Sequence, residues 1–188
     1  MPILPDTKNW TWVIDRPCPE CGYDAADYSD ADIADAILAN ARSWPDVLAR
    51  ADVRIRPNDS TWSALEYSAH VRDVLRVYLE RVRLMLDTDD PLYPNWDQDA
   101  TAVADRYNEQ DPAEVSVELT DAAAALAAAF AAVSGGRAQG GRSQDGGSQG
   151  AWSRVGRRSD GASFTVSSIS RYLLHDLEHH RWDVRSRN

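Results

Sequence analysis

The sequence predicts an all-α protein built as an antiparallel four-helix bundle, with a single domain over residues 1–188. Three observations lead to this prediction: apolar residues recur at steps of three and four, turn and capping residues separate these stretches, and no segment is rich in strand-forming residues. A bundle is the simplest architecture that buries four amphipathic faces. The helices are expected at about 30–51, 61–86, 112–133 and 165–185.

Local signals place the first two helices. Ser29 and Asp30 are good N-caps, because their side-chain oxygens accept hydrogen bonds from free backbone N–H groups. Pro45 should kink or interrupt the first helix, since proline lacks the N–H that an inner helical turn needs. The turn Pro57–Ser60 precedes the second helix, whose apolar seam runs from Tyr67 to Leu86.

The other segments follow from composition. Asp111 and Pro112 form a strong start for the alanine-rich third helix. Residues 1–28 are rich in Pro and Trp and are expected to form an irregular arm. Residues 134–150 hold seven of the ten glycines and predict a flexible loop. A short hairpin is expected over 152–164, and a short helix around 101–107.

Charge and hydropathy limit the function. Thirty acidic residues against 20 basic ones give a net charge of −10, which disfavours general binding to nucleic acid. The excess is uneven, because residues 1–136 carry −14 and the rest +4, and the basic end could attract an anionic small molecule. The longest apolar run, Ala122–Val133, is too short to span a bilayer. With no visible secretory signal, a cytoplasmic protein is expected.

Histidines carry the main chemical signal. His175 and His179 are four residues apart, so they share one face of the last helix, together with Tyr172 and Trp182. His180 points about 100° away from that face and is not expected to join them.

His70 flanks the apolar seam of the second helix and should face a neighbouring helix. If the second and last helices are adjacent, His70, His175 and His179 converge. Three neutral imidazoles bind a divalent metal and leave a position open, as in catalytic zinc sites. Zinc suits the set best, although nickel and iron also accept imidazole.

The chain resembles the DinB/YfiT-like metalloenzymes, and within them an actinobacterial DinB group. The resemblance covers nearly the whole chain apart from the glycine-rich insert. It rests on these segments: Pro5–Val13, Arg16–Gly22, Trp62–His70, Arg158–Gly161, Phe164–Val166 and Tyr172–His180.

The resemblance implies a four-helix bundle whose metal is held by one His on the second helix and an i,i+4 pair on the last, which map to His70, His175 and His179. Because the family includes mycothiol-dependent maleylpyruvate isomerase and bacillithiol S-transferases, it also implies a thiol-dependent transferase or isomerase. Many members have no established reaction.

A mechanism follows as a hypothesis. The metal lowers the pKa of a bound low-molecular-weight thiol, and the thiolate attacks an electrophilic, acidic substrate. Candidates to bind that substrate are Arg154, Arg158, Arg171 and Tyr172, since guanidinium groups pair well with carboxylates. Candidate acceptors for the imidazole N–H groups are Asp73, Asp176 and Asp183.

The pair Cys18 and Cys21, in Cys-Pro-Glu-Cys, leaves three interpretations open. It could be a local turn with two packed thiols, a redox pair, or half of a zinc site. No second Cys-x-x-Cys is present in the sequence.

Two functions from different classes therefore remain. One is the metal-dependent thiol transferase or isomerase. The other is a non-catalytic, stress-related protein that binds metal or a small molecule on the same scaffold. A homodimer is compatible with a bundle that leaves a helix face free.

Overall fold

The computed structural model describes residues 8–136 and 147–186. It confirms the predicted four-helix bundle with an irregular N-terminal arm and a short hairpin. The helices are α1 (Ile33–Ala41), α2 (Trp44–Leu48), α3 (Ala64–Asp87), α4 (Gln98–Ala104), α5 (Pro112–Ser134), α6 (Gly147–Trp152) and α7 (Val166–Ser186).

Four of these helices form the bundle. α3 packs against α5 and α7, and α1 packs against the same two helices, so α1 and α3 occupy opposite corners. The core between them is apolar and includes Ile37, Leu75, Leu126 and Leu173, each at most 1% exposed. The adjacency of α3 and α7, on which the predicted histidine site depends, is therefore present.

The first helical region is broken where proline was expected to break it. α1 ends at Ala41, and α2 begins at Trp44 with Pro45 in its first turn, where the missing N–H costs nothing. A buried polar relay ties this region to α7. The Trp44 indole donates to Asn40 Oδ1 over 2.9 Å, and the Asn40 amide donates to Glu178 over 3.1 Å.

A capping box fixes the start of α3. Ser63 accepts from the Glu66 backbone N–H, and Glu66 accepts from the Ser63 N–H over 2.8 Å, so two free donors of the first turn are satisfied. His70 lies one turn further along the same helix. The cap thereby sets the register in which His70 faces α7.

The alanine-rich helix α5 begins at the predicted Asp111 cap, whose carboxylate accepts from the N–H groups of Ala113 and Glu114. In the described part of the chain, α5 is the helix whose length and composition would allow a membrane span. However, the core helix of a bundle can be equally long and apolar. Leu119 and Phe130 on α5 are fully buried, as expected for such a core helix.

A three-stranded sheet lies beside the bundle. The predicted hairpin forms as β2 (Val155–Arg158) and β3 (Ser163–Thr165), which pair antiparallel. β1 (Leu92–Tyr93) adds to β2 in parallel and was not predicted. The sheet positions Arg158, which closes one side of the cavity described below.

Two further segments differ from expectation. The short helix predicted around 101–107 is displaced towards the N-terminus as α4, and a 3-10 turn covers Tyr107–Glu109. Of the predicted loop at 134–150, α5 takes residue 134 and α6 takes 147–150, while 137–146 lie outside the described residues.

The N-terminal arm runs across α7. Short 3-10 turns at Thr11–Ile14 and Ala25–Asp27 give it local structure. Tyr23 donates its hydroxyl to the Arg171 carbonyl over 2.8 Å, and Arg171 binds Asp30 and the Tyr28 carbonyl in return. The arm therefore covers the side of α7 that does not face α3.

Candidate metal centre

Helix α7 carries two i,i+4 pairs of side chains that could bind a metal ion, one residue out of phase with each other. Asp176 and His180 face α3, whereas His175 and His179 face the N-terminal arm. A helix turns by about 100° per residue, so adjacent pairs serve different neighbours. Both pairs form clusters with donors from elsewhere in the chain.

The first cluster, here called the His70 cluster, consists of His70, Asp176 and His180. One potential ligand atom from each residue lies within 4.8 Å of the others. The rings of His70 and His180 meet edge to face with centroids 4.7 Å apart, and His180 Nε2 lies 3.2 Å from Asp176 Oδ1.

His70 is the unusual member of this cluster. Its side chain is fully buried, and neither ring nitrogen has a hydrogen-bond partner. Trp96 stacks parallel to the ring at 5.4 Å, and Trp62 packs at 5.2 Å. A buried polar group without a partner costs free energy unless something else binds it, and a metal ion would.

Without a metal, the three members of this cluster carry different charges. Burial, with help from His180, lowers the pKa of His70 to about 3, so its imidazole is neutral at pH 7. Burial alone would raise the pKa of Asp176, but the hydrogen bond and charge of His180 outweigh it and hold that pKa at about 2. An ionised carboxylate and a neutral imidazole are the forms that bind a metal. Burial alone would lower the pKa of His180, but hydrogen bonds to Asp176 and Asp183 outweigh it and raise that pKa to about 9, so a metal ion would displace the proton of His180.

The three aspartates predicted to accept from the imidazole N–H groups have different partners. Asp183 Oδ2 lies 3.1 Å from His180 Nδ1, where a carboxylate orients a metal-binding imidazole. Asp176 belongs to the cluster itself. Asp73 instead binds Arg72 and accepts the Tyr107 hydroxyl over 2.6 Å, within a network that joins α3 to α5 through Glu118.

A cavity of about 940 Å³ opens beside the His70 cluster. Asp176 and His180 line it, and His70 lies behind them, in contact with His180. Arg81 and Arg158 also line it. The cavity thus joins potential metal ligands to cationic side chains.

Of the predicted substrate-binding residues, two line this cavity. Arg158 lies over the ring of Tyr172 at 5.9 Å and is also paired with Asp160. Arg154 is used elsewhere, because it donates to the carbonyls of Met85 and Thr88 at the end of α3. Arg171, bound to Asp30 and Tyr28, anchors the arm and does not line the cavity.

The predicted ligand set of His70, His175 and His179 is not brought together. The structure groups His70 with Asp176 and His180, and it groups His175 and His179 with other residues. His180, which was not expected to join His175 and His179, is instead the histidine of α7 that meets His70. The physical reason is the rotation of α7, which presents the 176/180 pair to α3 and leaves the 175/179 pair to the arm.

The second cluster, here called the cysteine cluster, consists of Cys18, Cys21, His175 and His179. Its four potential ligand atoms lie within 4.8 Å of one another. Cys18 Sγ is 3.8 Å from His179 Nδ1, although the two residues are 161 positions apart in the sequence. The sequence marks both halves of this cluster as candidates, but no sequence pattern joins residues 18 and 21 to residues 175 and 179.

Comparison with known proteins agrees with this fold. A sequence model of the DinB superfamily matches residues 33–184. Among solved structures, YfiT from Bacillus subtilis matches with a TM-score of 0.60 and 13% identity, over 82% of this chain and 79% of that one. That protein is described as "a probable metal-dependent hydrolase with an unusual four-helix bundle topology". A search of curated proteins gives no match.

Fold and site define a helical-bundle protein with a histidine and carboxylate cluster at the edge of a cavity. The match covers most of the sequence, and every residue of the His70 cluster lies inside it. The chain belongs to the DinB superfamily.

Proposed function

We propose that this protein is a metal-dependent enzyme in which His70, Asp176 and His180 hold one divalent ion, zinc in the first instance. The observation that carries the proposal is His70, an imidazole with no exposed surface and no hydrogen-bond partner for either nitrogen. Two imidazoles and a carboxylate are a donor set found in catalytic zinc sites, which keep a position open for substrate or water.

The finer proposal is a thiol S-transferase or isomerase that uses a low-molecular-weight thiol of the mycothiol type. A zinc ion in such a site supplies a Lewis acid that lowers the pKa of a thiol or water bound to it. The cavity of about 940 Å³ is large enough for a thiol cofactor together with an electrophilic substrate.

Side chains of the cavity give each part of this reaction a place. Arg81 and Arg158 would bind an acidic substrate through charge-assisted hydrogen bonds. Asp183 would hold the His180 ring in the orientation that points Nε2 towards Asp176. Trp96, stacked on His70, would keep bulk water from that imidazole.

Metal analysis tests the ligand set. Untagged protein is purified, and its metal content is measured for the wild type and for His70→Ala, Asp176→Asn and His180→Ala. Asp105→Asn is the matched control, because that carboxylate is exposed and lies outside the cluster. We expect loss of one metal equivalent in the three cluster variants alone. Full metal content in all three would refute the site.

Activity is tested with a bacterial thiol and monochlorobimane as the electrophile. We expect the wild type to conjugate the thiol and His70→Ala to lose most of this activity. Losing an outer partner of a metal ligand costs about 10- to 100-fold, and losing the ligand His70 should cost more. Stoichiometric metal without any turnover would instead support the non-catalytic metal-binding or small-molecule-binding alternative.

A further inference from the structure

The cysteine cluster has no part in the proposed reaction. Its cysteines come from the arm, and its histidines come from the side of α7 that faces the arm and also line the cavity. It also differs from the His70 cluster in composition, since it combines two thiols with two imidazoles. We propose that this cluster is a second metal site, a four-coordinate structural zinc site that fastens the N-terminal arm to α7.

The spacing of the ligands fits zinc. Cys18 and Cys21 are separated by two residues, and His175 and His179 by three, which are common intervals in Cys₂His₂ sites. With Zn–S near 2.3 Å and Zn–N near 2.0–2.1 Å, tetrahedral coordination separates sulfur and nitrogen by about 3.6 Å. The observed 3.8 Å between Cys18 Sγ and His179 Nδ1 is close to that value.

The backbone around the cysteines already forms a tight turn. The Gly22 N–H donates to the Cys18 carbonyl over 2.9 Å, and the Cys18 N–H donates to the Tyr23 carbonyl over 2.8 Å. Gly22 has a φ of 76°, a left-handed conformation that suits glycine. This turn directs both thiols towards the same point on α7.

Burial makes an unliganded state costly. Cys18 is 1% exposed and His175 is 4% exposed, and His175 Nε2 has no hydrogen-bond partner. Trp10 covers both imidazoles, with ring centroids 5.2 Å from His175 and 5.1 Å from His179. Two thiolates balance the charge of one zinc ion, so the occupied site is neutral and suits a buried position.

An outer partner is also in place. Glu20 lies between the two cysteines in sequence, and its carboxylate is 3.6 Å from His179 Nε2, the nitrogen that does not face Cys18. Carboxylates commonly orient metal-binding imidazoles in this way. A disulfide between the cysteines would remove both sulfur ligands and leave the two imidazoles without a metal ion to bind.

Four protein ligands leave no position for a substrate, so the site is structural. Its effect on function would be indirect. Lys8, Thr11 and Glu20 on the arm line the cavity beside the His70 cluster. Zinc in the cysteine cluster would hold that wall of the cavity in place.

Cobalt substitution gives a direct test, because a thiolate bound to Co²⁺ produces a charge-transfer band that imidazole and carboxylate ligands do not. The full-length apoprotein is titrated with Co²⁺ and then with Zn²⁺. We expect one equivalent of cobalt to produce the band and zinc to abolish it. The band should be lost in Cys18→Ser and Cys21→Ser and reduced in His175→Ala. It should persist in His180→Ala, a neighbouring histidine of the other cluster.

Thiol protection tests the proposal without any substitution. In the wild type, zinc should slow alkylation of two thiols at least tenfold, and denaturation with a chelator should release both as free thiols. A disulfide in freshly purified protein would overturn the proposal in favour of a redox pair. So would a cobalt band unchanged by His175→Ala and His179→Ala. If the His70 cluster variants lose metal and the Cys18 and Cys21 variants keep it, the second site is overturned and the proposed function stands.

Discussion

Arg56 binds both carboxylate oxygens of Glu66 in the first turn of α3, with Nε 2.9 Å from Oε2 and 3.2 Å from Oε1. The Glu66 side chain is 4% exposed, whereas the Arg56 side chain is 27% exposed, so the carboxylate is the shielded partner of this pair. Glu66 also completes the capping box with Ser63 and lies four residues before His70. The start of the helix that carries His70 thus depends on one ionised carboxylate.

Glu66→Gln is expected to lower the free energy of unfolding by about 2 kcal/mol at pH 7, because it removes the charge of a buried carboxylate that accepts hydrogen bonds from the partly exposed Arg56 guanidinium. Burial alone would raise the pKa of Glu66, but Arg56 and the Ser63 donors outweigh it and hold that pKa below its usual value of 4.5. The wild type is therefore favoured while the carboxylate is ionised.

The stabilising effect of Glu66 should be lost as the pH falls. The difference between wild type and Glu66→Gln should be constant from pH 7 to pH 5 and should shrink below about pH 4.5, as the carboxylate gains a proton. Urea unfolding followed by circular dichroism measures it. A difference of the same size at pH 7 and pH 3 would show that the charge plays no part.

Asp183 and Asp73 are expected to respond differently to the same change. Asp183→Asn should weaken metal binding at the His70 cluster by about 10- to 100-fold, because Asp183 orients His180. Asp73→Asn should leave metal affinity unchanged and lower stability, since Asp73 accepts from Arg72 and Tyr107.

Tyr107→Phe measures the contribution of the Asp73 hydrogen bonds to stability separately from metal binding. It removes one buried hydroxyl that donates to Asp73 and should cost about 1 kcal/mol, or a fall in Tm of about 2–4 °C. Isothermal titration with zinc and thermal unfolding give the two readouts. Equal loss of metal affinity in Asp73→Asn and Asp183→Asn would contradict the assignment.

Arg158→Ala should raise the Kd for a dicarboxylate in the cavity about tenfold, because a guanidinium that lines the cavity is lost. Arg154→Ala is the matched control. Arg154 donates to two carbonyls at the end of α3, so its loss should lower stability and leave the Kd unchanged. Titration calorimetry checks both, and an unchanged Kd in Arg158→Ala would remove that residue from the site.

Gly156→Ala should destabilise the protein by about 1–3 kcal/mol through overpacking. A Cβ at this position of β2 would lie 2.6 Å from Met85 Cγ and 3.0 Å from Tyr93 Cε1. In a Met85→Ala background, where Cγ is missing, the added cost should fall, and a double-mutant cycle measures the coupling. Additive costs would mean that Met85 is not the obstacle.

Much of the helical fold could be predicted from sequence because its signals are local. Asp111 caps α5 and Pro45 interrupts the first helical region, both as expected, whereas α3 begins at a Ser63 cap, a few residues after its predicted start at about 61. β1 could not be predicted in this way. Its two residues, Leu92 and Tyr93, are too few to show alternation, and they pair with a strand more than 60 residues away in the chain.

The site shows the same limit. His70 was predicted to face a neighbouring helix from its place beside an apolar seam, and it lies against His180 of α7. Periodicity could not decide between the pairs 175/179 and 176/180, because both recur at the helical repeat. The choice depends on the arm, whose position on α7 is set by contacts such as Arg171 with Asp30.

Both clusters depend on α7, which follows every other described element in the chain. During synthesis on the ribosome, neither set of ligands can be completed until this helix has emerged. The two cysteines and His70 are synthesised before α7. Until α7 is available, their thiols and imidazole are accessible to other metals and to oxidants in a partly folded chain. Availability of zinc at that moment would then decide how many newly made molecules reach the finished form.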